Sequence, residues 1–108
     1  MYKKGTVVLV PFPFTDLSGN KVRPALVVSQ ELRGEDVVVL FITSVKGRAE
    51  SFDVPVAPTP ENGLKVASRI KCAKIATLDK KIILGELGFV SAAVEKAVGQ
   101  KLRTLFSI

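Results

Sequence analysis

Val37-Val38-Val39-Leu40-Phe41-Ile42-Thr43 is the run on which the fold turns, an unbroken apolar stretch closed by a threonine and rich in β-branched side chains. A run this short and this apolar reads as a strand covered on both faces, at the centre of a sheet. Working outward, the turn Gln30 to Asp36 around Gly34 separates it from a second strand, Pro24 to Ser29, where proline is tolerable as the first residue. A third strand, Thr6 to Val10, runs into Pro11-Phe12-Pro13-Phe14. Two prolines without backbone donors place that end at a sheet edge or at the start of a loop. Between the third and second strands, Thr15 to Lys21 has short polar side chains and Gly19-Asn20 at its tip, the chemistry of a polar hairpin loop.

Beyond Thr43, Ser44 to Glu50 is a polar connection containing Lys46 and Arg48, and Ser51 to Val56 is a short strand. Pro58, Pro60 and Gly63 make Ala57 to Gly63 a loop that cannot carry a sheet ladder. Ser68 to Ala73 alternates polar and apolar residues and stays extended through Asp79; Lys80 to Leu84 is a short helix or turn, and Leu87 to Val90 is the last strand. Ser91 is a helix N-cap, its hydroxyl placed to accept from an unpaired amide of the first turn. Val94, Ala97, Val98, Leu102, Leu105 and Phe106 then recur on one helical face. The class is α+β: a small, strongly curved antiparallel β-barrel with a C-terminal α-helix, read as a single domain over residues 1–108.

With 108 residues and 47% hydrophobic content, the chain suffices for one core and is too short for two ordinary domains. No stretch approaches the ~18 to 20 apolar residues of a membrane-spanning helix, and the basic start, Met1 to Thr6, lacks the apolar core of a secretory leader. A cytoplasmic protein with no membrane partner is expected. Cys72 is the only cysteine, which rules out an intrachain disulfide. It reads as a small buried hydrophobe, because no histidine exists to activate it. The same lack of histidine removes imidazole acid–base chemistry and nearly every zinc site, so neither metal nor cofactor is expected. A net charge of +6 favours a polyanionic partner.

Arg23 stands where the polar loop gives way to the strand at Pro24, holding a planar five-donor cation in a position suited to gripping a phosphate. Taken alone, it is more readily a surface arginine covering the loop or pairing with Asp16. Thr43, at the end of the central strand, has its hydroxyl fixed by a rigid element, although threonine at a strand end is ordinary.

Four stretches read together carry more: Gly5 to Phe14, Val22-Arg23-Pro24-Ala25-Leu26-Val27-Val28-Ser29, Ile42-Thr43-Ser44, and Lys74-Ile75-Ala76-Thr77-Leu78-Asp79-Lys80. In order and spacing they resemble the MazF/PemK toxin family over nearly the whole chain. The resemblance implies a barrel related to the SH3 fold, a homodimer, a cognate antitoxin, and metal-independent, sequence-selective cleavage of single-stranded RNA leaving a 2′,3′-cyclic phosphate and a 5′-hydroxyl. It implies that Arg23 and Thr43 are catalytic. Because a guanidinium gives up its proton only at great cost, charge stabilisation of the phosphorane is the heavier role for Arg23, with Thr43 donating to a non-bridging oxygen. The implied RNA-binding set is Phe14, Asp16, Lys21, Ser44, Lys46, Arg48 and Lys74, with the Thr15 to Lys21 loop closing over RNA.

Each of these has a plainer reading too: Lys46 and Arg48 as a solvated basic loop, Phe12 or Phe14 as packing, and Lys71 and Lys74 as the alternation of a half-buried strand. Two departures from the family pattern stand out. Ala73 replaces an acidic residue common before the Lys-Ile pair, which bears on base preference, and Asp16 is the only carboxylate of the first loop. The rival readings are a CcdB-like gyrase-binding toxin and a catalytically silent nucleic-acid-binding barrel, since one fold serves several functions.

Overall fold

The structure, a computed structural model, describes residues 2–12, 21–30 and 32–108. Its strands are β1 (Thr6–Phe12), β2 (Lys21–Val27), β3 (Asp36–Ser44), β4 (Asp53–Val56), β5 (Ser68–Asp79) and β6 (Gly85–Phe89), with a 3-10 turn at Lys80–Ile82 and a terminal helix, α1 (Ala92–Phe106). The strands form one curled antiparallel sheet in the order β4-β5-β3-β2-β1-β6. Among the described residues no helix is long and apolar enough to cross a membrane.

The apolar run lies in β3, between β5 and β2, and is covered on both sides as its composition requires. Val37 and Val39 join Val8, Val10, Ala25, Val27, Leu78 and Ile83 in one cluster. Leu40 and Ile42 point the other way, into a cluster with Val7, Leu26, Val54, Ile70 and Val98. Each large aliphatic side chain so buried contributes about 1.5–3 kcal/mol on leaving water. This second cluster is the one that α1 covers, through Val94, Ala97, Val98 and Leu102.

Ser91 caps α1 as expected, its Oγ accepting from the amide of Val94 at 3.2 Å. The apolar face ends sooner than its periodicity predicts: Phe106 is exposed. The helix stops there because Ser107 takes a left-handed conformation and its amide turns back to the carbonyls of Arg103 and Thr104, leaving Phe106 beyond the packed face.

The other boundaries differ in informative ways. β1 continues through Pro11 to Phe12, past the expected Val10, but β6 pairs only with Thr6 to Leu9, so Pro11 does sit on a one-sided edge. Lys21, expected in the loop, is the first residue of β2 and pairs with Phe12. The rest of the expected loop, Thr15 to Asn20, lies outside the described residues together with Pro13 and Phe14. β4 begins at Asp53, two residues later than expected, because the Asp53 amide turns back to the Glu50 carbonyl at 3.1 Å. β6 runs Gly85–Phe89, where Gly88 packs so tightly on the Glu61 carbonyl that a Cβ would sit 1.9 Å from its oxygen.

Candidate active site

Proline 24 creates the opening in which the site lies. The amide of Val28 donates to the Val38 carbonyl at 3.0 Å, so in β2 the even-numbered residues aim their backbone groups at β3. Two strand steps earlier, position 24 should donate to β3 near Ile42, and proline has no hydrogen to give. The β2–β3 ladder accordingly ends at the Ala25–Phe41 pair, while β2 stays paired to β1 through Pro24, Arg23, Val22 and Lys21. Two residues beyond that last pair, on the same face of each strand, stand Arg23 and Thr43. Both are half-buried and both line a cleft of about 300 Å³, together with Phe41, Ile42, Glu50, Lys71 and Lys74. Among the described residues the Thr43 hydroxyl donates to the neighbouring Ser44 carbonyl at 3.4 Å, a long contact that is readily exchanged.

A bulge in β5 supplies the opposite wall. Phe41 faces Lys71 but its neighbour Leu40 faces Ile75, so Cys72, Ala73 and Lys74 have no opposite numbers on β3. In a regular strand residues three apart point to opposite faces; the bulge turns Lys71 and Lys74 into the same cleft. The simple alternation expected through this segment therefore breaks at Cys72.

Lys71 is braced by two carboxylates. Its ammonium lies 2.9 Å and 3.1 Å from the two Asp53 oxygens and 3.1 Å from Glu50 Oε1. The Lys71 and Asp53 side chains are 12% and 3% exposed, the Glu50 side chain 74%. The hydrogen bond to Asp53 raises the Lys71 pKa above its ordinary value despite burial, with Glu50 adding to it. For Asp53, burial pushes upward, but the Glu50 amide, the Lys71 ammonium and the Arg69 charge together hold the carboxyl below its ordinary value. Cys72 is fully buried, and burial, reinforced by the Asp53 charge and opposed by Lys101, pushes its thiol up to about 11. At neutral pH it is a protonated core side chain, as expected, and no nucleophile. Among the described residues no three His, Cys, Asp or Glu side chains come together in a group that could hold a metal ion.

The sequence-predicted residues divide. Arg23, Thr43 and Lys74 meet in the cleft. Ser44 faces away and lines a largely apolar groove with Val22, Pro24, Leu64 and Val66. Lys46 and Arg48 are exposed on the connection after β3 and do not line the cleft; Lys21 is exposed at the start of β2. Phe14 and Asp16 lie outside the described residues. Glu50 and Arg69 escaped sequence reading, and Lys71 reads there only as the alternation of a half-buried strand. Lys71 and Glu50 line the cleft itself, and Arg69 anchors the basic connection, donating to the carbonyls of Arg48 at 2.9 Å, Gly47 at 2.8 Å and Lys46 at 3.4 Å. Gly47, at φ +70°, makes that turn possible. The carboxylate–lysine pattern at Glu50, Asp53 and Lys71 was visible as residue types, but the pairing of β4 with β5 that joins them was not.

A cleft walled by Arg23, Lys71 and Lys74, with a hydroxyl at Thr43, is built to hold an anion of phosphodiester size. The model of the PemK-like, MazF-like toxins of type II toxin–antitoxin systems matches residues 3–106. The chain belongs to this toxin family. Among solved structures, an endoribonuclease in complex with its cognate antitoxin from a mycobacterial species is 23% identical, covering 100% of this chain and 97% of that one at TM-score 0.78. MazF from Deinococcus radiodurans is 24% identical, with 99% and 97% covered at TM-score 0.76. The Mycobacterium tuberculosis toxin MazF-mt6 is 23% identical, with 95% and 97% covered at TM-score 0.76. These likenesses establish the MazF-like fold for this chain. No curated protein matches it in sequence.

Proposed function

We propose that this MazF/PemK-family chain is a metal-independent endoribonuclease toxin that cuts single-stranded RNA in the cytoplasm. The observation that carries the reading is the facing of Arg23 and Thr43 across the parted β2–β3 ladder, in a cleft whose other wall is cationic. In the proposed step the 2′-hydroxyl of a ribose gives up its proton and its oxygen bonds to the adjacent phosphorus as the bond to the 5′-oxygen breaks and that oxygen takes up a proton, giving a 2′,3′-cyclic phosphate and a 5′-hydroxyl. Negative charge grows on the non-bridging oxygens, where the Arg23 guanidinium and the Thr43 hydroxyl stabilise it. Lys74 in the cleft, and Lys21, Lys46 and Arg48 around it, hold flanking phosphates.

The active form is a homodimer, and a cognate antitoxin lays an acidic or amphipathic segment across the basic groove. The antitoxin complexes among the solved structures, including MazE–MazF of Deinococcus radiodurans, support that partner. The test is incubation of the purified protein with a long single-stranded RNA in EDTA. Discrete fragments ending in 2′,3′-cyclic phosphate are expected. Intact RNA, or cleavage that returns only with magnesium, overturns the reading.

A further inference from the structure

We propose that Glu50 caps a phosphate-binding subsite on Lys71, and that an RNA phosphate next to the scissile one displaces it. The inference rests on the RNA-cleaving reading above and names a contact of the same cleft. Lys71 is held differently by its two carboxylates. Asp53 grips the ammonium with both oxygens from a buried position, whereas Glu50 touches it with one oxygen from a side chain that is 74% exposed. Losing Glu50 therefore leaves Lys71 held by its buried partner, whereas losing Asp53 leaves it only an exposed one.

The backbone around Glu50 is built so that only the side chain is free to leave. Its amide donates to Asp53 Oδ2 at 2.8 Å and its carbonyl accepts from the Asp53 amide at 3.1 Å, so residue 50 is tied down at both backbone groups. Among the described residues the carboxylate is meanwhile the one anion lining a cleft with three cations, Arg23, Lys71 and Lys74. A polyanion entering this cleft meets Glu50 with repulsion and Lys71 with attraction, and a phosphate seated on the ammonium satisfies the position the carboxylate held. Glu50 and Lys71 line both this cleft and an adjoining open pocket of about 530 Å³, whose wall also includes Phe52, Ala73 and Lys74. Swinging Glu50 aside enlarges both spaces and gives the neighbouring nucleotide somewhere to go.

The experiment compares wild type, Glu50→Gln and Glu61→Gln, the last removing an exposed carboxylate remote from the cleft. Binding is measured with an uncleavable 2′-O-methyl single-stranded RNA and turnover with ordinary RNA of the same sequence. Glu50→Gln is expected to bind the 2′-O-methyl RNA roughly two- to fivefold more tightly, the range set by one exposed ion pair, with the gain in turnover appearing in KM and none from Glu61→Gln. Unchanged or weaker binding overturns the subsite, as does an equal gain in both variants, which would report net charge alone. A collapse of kcat at unchanged affinity also overturns it and makes Glu50 a proton acceptor instead. If ordinary RNA stays intact while Glu50→Gln still binds more tightly than wild type, the subsite stands and the nuclease reading falls. If no variant binds RNA, both fall.

Discussion

The two halves of the β2–β3 pair share strands, register and face, yet one is sealed and the other open. At one end Ala25 and Val27 meet Phe41 and Val39, and Ala25, Val27 and Val39 are wholly excluded from solvent. At the other end Arg23 and Thr43 stand in the same relation across a gap that no ladder bridges. The difference is one missing amide hydrogen at Pro24, at the point where β2 turns its backbone toward β3. A rigid core can thus present two side chains to a ligand simply by ending a ladder early, so that the site inherits the positioning of the strands without their pairing.

The sharpest way to break the open half is Arg23→Ala, expected to lower RNA cleavage by roughly 10²–10³-fold, with Thr43→Ala costing up to a similar factor. Both side chains are half-buried at the cleft and outside the two core clusters, so melting temperatures should stay near that of wild type. Arg23→Lys keeps the charge without the planar fork and should recover little. Kinetics and thermal melts on the three variants check this; folded alanine variants that cleave at the wild-type rate would remove these residues from the mechanism.

The sealed half should fail in the opposite sense. Leu40→Ala empties a position with no solvent exposure and should cost about 3 kcal/mol in urea unfolding, while the surviving folded fraction keeps its turnover. Asp53→Asn tests the brace beneath the cleft. Removing one partner of a buried pair should cost about 3 kcal/mol at neutral pH. The pH dependence follows from the signs. The Asp53 carboxyl is held below its ordinary 3.8, so its stabilisation is present above about that pH and lost as the pH falls through the depressed native value. Lys71 is raised above 10.5, so its share is present below that pH and lost as the pH climbs through the raised native value. Unfolding free energy measured against pH should show both limbs in wild type and a shallower acid limb in Asp53→Asn.

The smallest effect is expected from Pro24→Ala, which restores the missing amide. The ladder should extend by one bond, with stability changing by about 1 kcal/mol or less and turnover falling as the cleft narrows. Hydrogen exchange decides it: a protected amide at position 24 supports the account of the opening, and a freely exchanging one refutes it.

Much of this was legible in the sequence where a single period governed a segment. The central strand showed itself by unbroken apolarity and α1 by its helical spacing and its serine cap, because burial alone fixes those patterns. Strand limits near prolines were less legible: Pro24 looked like a strand start, whereas β2 begins at Lys21 on the strength of pairing to β1 alone. The cleft was half legible. Arg23 and Thr43 stood out in the family resemblance, but Lys71 and Glu50 did not, since their meeting depends on β4 lying against β5 and on a bulge that alternation cannot announce. Arg69 was invisible for the same reason, its partners being backbone carbonyls more than twenty residues away.

The bulge at Cys72, Ala73 and Lys74 has an evolutionary consequence. It interrupts β5 between two regular ladders that anchor the strand independently, Ser68 to Lys71 on one side and Ile75 to Asp79 on the other. Changes of residue type, or even of length, inside it re-aim what faces the ligand while both anchors keep their partners. Ala73 thus occupies a part of the chain where the lining of a pocket can be revised with little penalty to folding.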